Sequence, residues 1–155
     1  MAISGEDIER RMSSFAALCR RQGLKATHQR MEIHRELAAT LEHPDAETIY
    51  RRVRRRIPAI SLDTVYRTLR LLEEKRMITR VGGVGERTRF DSNTERHPHF
   101  VCTECGTVSD VEGIEMGALA DFPDALSSVG EADSVYLEWR GVCVRCRQDS
   151  GVAGA

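Results

Sequence analysis

The first half of the chain repeats apolar residues at the spacing of amphipathic helices. Ile8, Met12, Phe15 and Cys19 form the first stripe, and Gly23 ends it. Three further stripes follow the capping residues Thr27, Asp45 and Ser61. Their apolar positions are Ile33, Leu37 and Leu41, then Ile49, Val53 and Ile57, then Leu62, Val65, Leu69 and Leu72. The pattern predicts four helices, the second ending before the His43-Pro44 step because a residue before proline avoids the helical region.

Two short strand-like runs follow the fourth helix, at residues 77–81 and 86–90. The segment Gly82-Gly83-Val84-Gly85 joins them, so the pattern predicts a β-hairpin with a glycine-rich tip. Three or four helices followed by a hairpin is the order of a winged helix-turn-helix. In such a domain the helix before the wing enters the major groove of DNA.

The exposed face of the fourth helix carries residues suited to DNA. With the apolar stripe turned inward, the residues expected to face outward are Asp63, Tyr66, Arg67 and Arg70. Arginine can contact phosphates or guanine edges, and tyrosine can contact thymine methyl groups. The alternative is an ordinary solvated helix face. The arginine run at 51–56 on the third helix favours binding to nucleic acid over this alternative.

The second half predicts a small α+β unit. Strands are expected at residues 99–101, 107–111 and 134–139, with a helix over 114–126 interrupted at Pro123. Because roughly fifty residues bury little apolar area, this unit needs a metal and a partner subunit to be stable. Residues 148–155 are small and polar and are expected to be disordered.

The balance of charged residues changes sign near residue 80, between the two predicted parts of the chain. The 155 residues have a net charge of −1, yet residues 1–80 hold 17 Lys/Arg against 11 Asp/Glu, and residues 81–155 hold 6 against 13. A basic half of this kind is typical of a domain that meets a polyanion. The first twenty residues are charged and no apolar run is long enough to span a bilayer, so we expect a cytoplasmic protein without disulfides.

Four of the five cysteines form two CxxC pairs, Cys102 with Cys105 and Cys143 with Cys146. In a cytosolic chain this arrangement predicts a tetrahedral zinc site. The alternatives are a redox dithiol or incidental cysteines. Cys19 lies on a helical apolar stripe, where we expect a small core residue.

A second group of possible ligands lies between the wing and the first CxxC pair. His97 and His99 alternate on an extended segment, so both imidazoles project to one face. Asp91 upstream and Asp110 on the returning strand could add oxygen ligands. Imidazole and carboxylate together suit Fe(II), Mn(II) or Zn(II). The alternative is a pair of exposed histidines without a metal.

Taken together, these motifs resemble the ferric uptake regulator superfamily, and most closely its peroxide-sensing repressors. The matching segments are GLKATHQR at 23–30, HP at 43–44, TVYRTL at 64–69, HPHFVCTECG at 97–106 and the closing CxxC. The resemblance implies a homodimeric metalloregulator with an N-terminal winged helix, a small α/β dimerisation domain and a structural zinc on the four cysteines. The residues that match the five regulatory Fe(II) or Mn(II) ligands are His43, Asp91, His97, His99 and Asp110. The residues expected to contact DNA are Lys25, Tyr66, Arg67 and Arg70.

The resemblance also implies domain limits. We expect the DNA-binding domain over residues 1–83, the wing end and hinge over 84–95, the dimerisation and metal-binding domain over 96–147 and the tail over 148–155.

Asp91 favours the peroxide-sensing subclass, because iron-sensing relatives usually carry glutamate there. In that subclass peroxide reacts at Fe(II) and oxidises a ligand histidine, here His43 or His97, which releases the metal and the DNA. The alternative is a repressor responsive to iron or another divalent metal without peroxide chemistry.

No enzymatic function is expected, because a zinc deaminase would need glutamate after the histidine and a PCxxC motif. A zinc-ribbon interaction module would leave the helices and the wing unexplained.

Overall fold

The computed structural model describes residues 3–82, 87–111, 113–114, 117, 124–131 and 135–149. The chain divides after Thr94 into two compact units, called unit 1 and unit 2 below. Among the described helices, none is both long and apolar enough to cross a membrane.

Unit 1 begins with four helices. They are α1 (Gly5–Arg21), α2 (His28–Ala38), α3 (Ala46–Val53) and α4 (Leu62–Glu74). The predicted caps Thr27, Asp45 and Ser61 each accept the backbone N–H three residues on, and Ser4 does the same for α1. The four predicted helices are therefore confirmed.

Two of the predicted helices end earlier than expected. Leu41 lies beyond α2 and is 39% exposed, because the chain turns before Asp45 and His43 adopts a positive φ of 46°. Ile57 lies beyond α3 and only partly packs on the core, because it precedes Pro58 and so avoids the helical region.

A single hydrophobic cluster joins the four helices to the hairpin of unit 1. Its fully buried members include Ile33, Ile49, Val65, Leu69 and Leu72. These residues are the predicted stripes of α2, α3 and α4, so burial of each stripe fixes the rotation of its helix. Cys19 is fully buried in the same cluster, as expected for a core residue.

The predicted wing is present as an antiparallel pair, β1 (Thr79–Val81) and β2 (Arg89–Asp91), with Arg80 opposite Phe90. Both strands are shorter than expected. Met77 and Ile78 precede β1 and are buried in the core instead. The glycine-rich tip at 83–86 lies outside the described residues.

Unit 2 contains a three-stranded sheet in the order β4-β3-β5. Its strands are β3 (His99–Cys102), β4 (Val108–Asp110) and β5 (Glu138–Gly141). β3 runs antiparallel to β4 and parallel to β5, which confirms the predicted hairpin.

The last predicted strand starts four residues later than expected and runs to Gly141, because its pairing with β3 begins at Glu138. A 3-10 helix (Asp124–Ser128) and a short helix α5 (Val144–Asp149) complete the described part of unit 2. Most of the helix expected over 114–126 lies outside the described residues. α5 includes Gln148 and Asp149, which the sequence assigned to the tail, and residues 150–155 lie outside the description.

Candidate metal centres and DNA-binding face

The four cysteines of unit 2 form one cluster, in which all four sulfurs lie within 4.8 Å of one another. Cys105 Sγ and Cys143 Sγ are 3.9 Å apart. This distance is far longer than a disulfide bond of about 2.05 Å. Tetrahedral zinc with bonds of about 2.3 Å places its sulfur ligands roughly 3.8 Å apart. The donor set and its spacing therefore fit zinc.

Strand pairing brings the two CxxC pairs together. β3 places Cys102 beside Gly141 of β5, and the Cys143 N–H then donates to Cys102 Sγ at 3.3 Å. Gly106 reverses the chain with φ 67°, and its N–H donates to the Cys102 carbonyl at 2.9 Å. Cys146 follows in the first turn of α5, where its N–H lies 3.4 Å from Cys143 Sγ.

Hydrogen bonds prepare part of this cluster for ionisation. The backbone N–H groups of Cys105 and Cys143 lower the pKa of Cys102. The hydroxyl and N–H of Thr107 lower the pKa of Cys105 to about 5. The neighbouring sulfurs of Cys143 and Cys105 raise the pKa of Cys146 to about 12. Four thiolates at this spacing therefore need a cation among them, as zinc supplies.

Unit 2 also holds three of the predicted regulatory ligands, called here the three-ligand group: His97, His99 and Asp110. The β3–β4 register sets His99 opposite Asp110. His97 Nε2 lies 3.0 Å and His99 Nε2 3.5 Å from the same oxygen, Asp110 Oδ1. Two imidazole nitrogens therefore converge on one carboxylate, as the HxH spacing predicted.

The hydrogen bonds of His97 fit a cation at this point. Its Nδ1 lies 2.7 Å from the Glu95 carbonyl oxygen, which can only accept, so Nδ1 carries the proton. Nε2 faces the Asp110 carboxylate, which also only accepts when ionised. With Asp110 ionised, both contacts are favourable if the ring is an imidazolium or if a metal ion is shared by Nε2 and the carboxylate. The group thus fits a divalent metal.

Unit 1 holds the other two, called here the two-ligand group: His43 and Asp91. His43 Nδ1 lies 3.8 Å from Asp91 Oδ1, and the two side chains are only 3% and 6% exposed. The Asn93 N–H donates to Asp91 Oδ1 at 2.7 Å and orients the carboxylate. Imidazole and carboxylate in a buried pair are again ligand types for Fe(II) or Mn(II).

The predicted DNA-binding face of α4 is exposed. Tyr66 is 49% exposed, and the side chains of Arg67 and Arg70 are 73% and 79% exposed. Each arginine has an acidic neighbour on the same helix. Arg67 Nε lies 2.9 Å from Asp63, and Arg70 Nε lies 3.0 Å from Glu74. Lys25 is also exposed, in the loop between α1 and α2.

The arginine run at 51–56 is only partly available to nucleic acid. Arg52 and Arg56 turn towards α2, where Arg56 forms ion pairs with Glu32 and Glu36. These two arginines therefore tie α3 to α2, a role the sequence analysis missed. The spacing of Glu32 and Glu36, one helical turn apart, is the signal that could have indicated it.

His34 is a packing residue of unit 1. It is 5% exposed, and its ring stacks on Phe15 with centroids 3.7 Å apart. Burial lowers its pKa to about 3, so the ring is neutral.

The model of the ferric uptake regulator family matches residues 21–121, more than half of the chain. The chain belongs to the ferric uptake regulator family. The peroxide-responsive repressor of Staphylococcus aureus (strain Mu50) is 28% identical over 147 residues, which are 95% of this chain and 99% of that protein.

Two solved structures illustrate the likeness in fold. A zinc-bound manganese uptake regulator is 31% identical, with a TM-score of 0.63, over 89% of this chain and 99% of that chain. The Helicobacter pylori ferric uptake regulator is 22% identical, with a TM-score of 0.66, over 90% of this chain and 93% of that chain. The expected fold, a winged helix followed by a small α+β unit with a four-cysteine cluster that fits zinc, is thus confirmed.

Proposed function

We propose that this family member is a metal-dependent, DNA-binding transcriptional repressor that senses peroxide. The protein would act in the cytoplasm as a homodimer on double-stranded operator DNA. The four cysteines would hold a structural zinc. One regulatory Fe(II) or Mn(II) would take its ligands from His43, Asp91, His97, His99 and Asp110.

The observation that carries the proposal is the convergence of His97 and His99 on Asp110. His97 and His99 meet Asp110, which is 13 positions after His97 in the chain, because of the register in which β3 and β4 pair. Their ring nitrogens point at one carboxylate oxygen, and His97 is held by a second contact to a backbone carbonyl. Such support of a ligand histidine is typical of metal sites.

The regulatory logic follows from where the ligands lie in the chain. His43 and Asp91 belong to unit 1, which carries the DNA-binding helix, and the other three belong to unit 2. A metal ion bound by all five would link the two units, so that metal binding favours the domain arrangement competent for DNA. Tyr66, Arg67 and Arg70 would then contact the major groove, with Lys25 as a further contact.

Peroxide sensing would use the same ligands. Fe(II), when bound, would activate peroxide next to its ligands. One peroxide oxygen would enter a histidine ring, which gives up two electrons, and the other would leave as water. An oxygen atom added to the ring of His43 or His97 would remove a nitrogen donor from the ligand set. With four ligands left, the metal is held more weakly and the link between the units is lost. The similarity to the S. aureus peroxide-responsive repressor, over 95% of this chain, supports this chemistry.

A second candidate is a repressor that responds to iron or another divalent metal without peroxide chemistry. The 31% identity to a manganese uptake regulator favours it. Both candidates use the same ligands and the same DNA-binding face. They differ in whether the metal is lost by ligand oxidation or by a fall in the metal concentration.

Mass spectrometry decides between them. The full-length protein is loaded with Fe(II), exposed to a short pulse of peroxide, and digested. Gain of one oxygen on the peptide with His43 or His97 supports peroxide sensing, and Mn(II)-loaded protein is the control that should stay unoxidised. If the Fe(II) protein also stays unmodified while DNA binding follows the free metal concentration, the second candidate is correct.

A further inference from the structure

We infer that Arg89 is a positioning residue of the regulatory metal site. Its side chain holds His43 in the backbone conformation that turns the imidazole towards Asp91. This inference rests on the proposed function, because it takes His43 and Asp91 to be metal ligands.

His43 has an unusual backbone. Its φ is 46°, in the left-handed region that side chains with a Cβ rarely adopt. Among the described residues other than glycine, only His43 and Arg76 have a positive φ. A residue remains in such a conformation only where the surrounding structure holds it.

Three contacts fasten the loop of His43 along β2, all within unit 1. Arg89 Nη1 donates to the His43 carbonyl at 3.2 Å, and the Phe90 N–H donates to the Pro44 carbonyl at 3.2 Å. Asp45 forms a β-bridge with Arg89. The Arg89 side chain is the one member of this set that a substitution can remove while the backbone contacts remain.

The geometry of β2 explains why this contact acts on the metal ligands. Residues two apart on a strand project to the same face, so Arg89 and Asp91 share one side of β2. His43 meets both of them, with its carbonyl on Arg89 and its Nδ1 3.8 Å from Asp91 Oδ1. Without the Arg89 contact the left-handed conformation loses a support, and the imidazole is no longer held at the carboxylate.

The test is the affinity of the full-length protein for Mn(II), followed by electron paramagnetic resonance. Arg89→Met should weaken binding about 10- to 100-fold, the usual effect of removing the partner of a metal ligand. Arg80→Met is the matched control, because Arg80 lies on the neighbouring strand and pairs with Glu73 at 2.8 Å. It should change the affinity by about twofold or less, as expected for a surface substitution.

A double-mutant cycle separates positioning from a general structural role. His43→Ala alone should weaken Mn(II) binding, and adding Arg89→Met to it should then cause little further loss, because Arg89 acts through His43. Zinc content should be that of the wild type, because the four cysteines lie in unit 2. Additive losses in the double variant, or a falling zinc content, overturn the inference.

The outcomes distinguish this inference from the proposed function. If His43→Ala binds Mn(II) like the wild type, the proposed ligand set is wrong. If His43→Ala is weakened and Arg89→Met is not, the ligand set stands and the role of Arg89 is refuted. If Arg89→Met does not fold, Arg89→Gln replaces it, since its polar side chain is too short to reach the His43 carbonyl.

Discussion

Asp63 should weaken sequence-independent binding of DNA to α4, the proposed DNA-binding helix. It lies at the start of α4, exposed, with its carboxylate 2.9 Å from Arg67 Nε. The Asp63→Asn substitution removes a negative charge that would repel the DNA phosphates. It also makes Arg67 available for one more phosphate contact. We therefore expect Asp63→Asn to bind a random-sequence duplex more tightly than the wild type, and with a steeper dependence on salt.

The size of the effect follows from counterion release. One added phosphate contact steepens the slope of log K against log salt by about 0.9. Between 50 and 200 mM salt, this corresponds to roughly a 3.5-fold greater loss of affinity for one contacting protomer, and roughly 12-fold for two. The substitution should also lower the free energy of unfolding by about 1 kcal/mol. A carboxylate in the first turn stabilises the helix, and Asp63 also forms an i,i+4 ion pair with Arg67.

Fluorescence anisotropy with a random 30-base-pair duplex, at constant Mn(II), measures the slope. Asp124→Asn is the control, since it removes the same charge from an exposed position of unit 2. An unchanged slope in Asp63→Asn, or an equal change in the control, would show that Arg67 does not approach phosphate or that Asp63 does not limit it.

Three further changes test other parts of the molecule. Cys102→Ser should lose zinc and the dimer, because structural zinc contributes on the order of 10 kcal/mol to small domains; a zinc-free dimer of normal stability, by atomic absorption and sedimentation, would contradict this. Asp91→Glu should keep metal-activated operator binding but should no longer release the operator on exposure to peroxide, because a longer carboxylate side chain changes the metal geometry. His97→Ala should lose metal activation. Operator affinity measured before and after peroxide treatment checks both variants. The free energy of unfolding should decrease as the pH is lowered from about 6.5 towards 3, by up to roughly 1.4 kcal/mol per pH unit. The cause is His34, whose pKa is lowered to about 3, so that it stays neutral in the folded protein while the unfolded chain takes up a proton. In urea titrations, His34→Leu should show a correspondingly smaller pH dependence.

Local signals predicted much of unit 1. The caps Thr27, Asp45 and Ser61 and the apolar stripes depend on neighbours within one or two turns. Apart from Leu41 and Ile57, which lie beyond their helices, the structure has them where the sequence placed them. The short period of a strand likewise predicted that His97 and His99 share a face.

Contacts between distant residues were not predictable in this way. Arg56 pairs with Glu32 and Glu36 across 24 and 20 positions, and the runs of charge gave no indication of which arginines turn inward. Arg89 reaches the His43 carbonyl across 46 positions. Such pairs are set by how helices and strands pack, and a pattern within one segment does not contain that information.

Three consecutive residues connect the proposed metal ligands of unit 1 to α3 and the wing. His43 faces Asp91, Pro44 is bound by the backbone of β2, and Asp45 caps α3 through the Thr48 N–H at 2.8 Å. Asp45 also accepts a hydrogen bond from Arg87, at the base of the wing, at 3.1 Å. A metal held by His43 and Asp91 would therefore restrain the start of α3 and the base of the wing directly. If Mn(II) bound there tightens operator binding, operator DNA must tighten Mn(II) binding by the same factor, because coupling free energies are reciprocal.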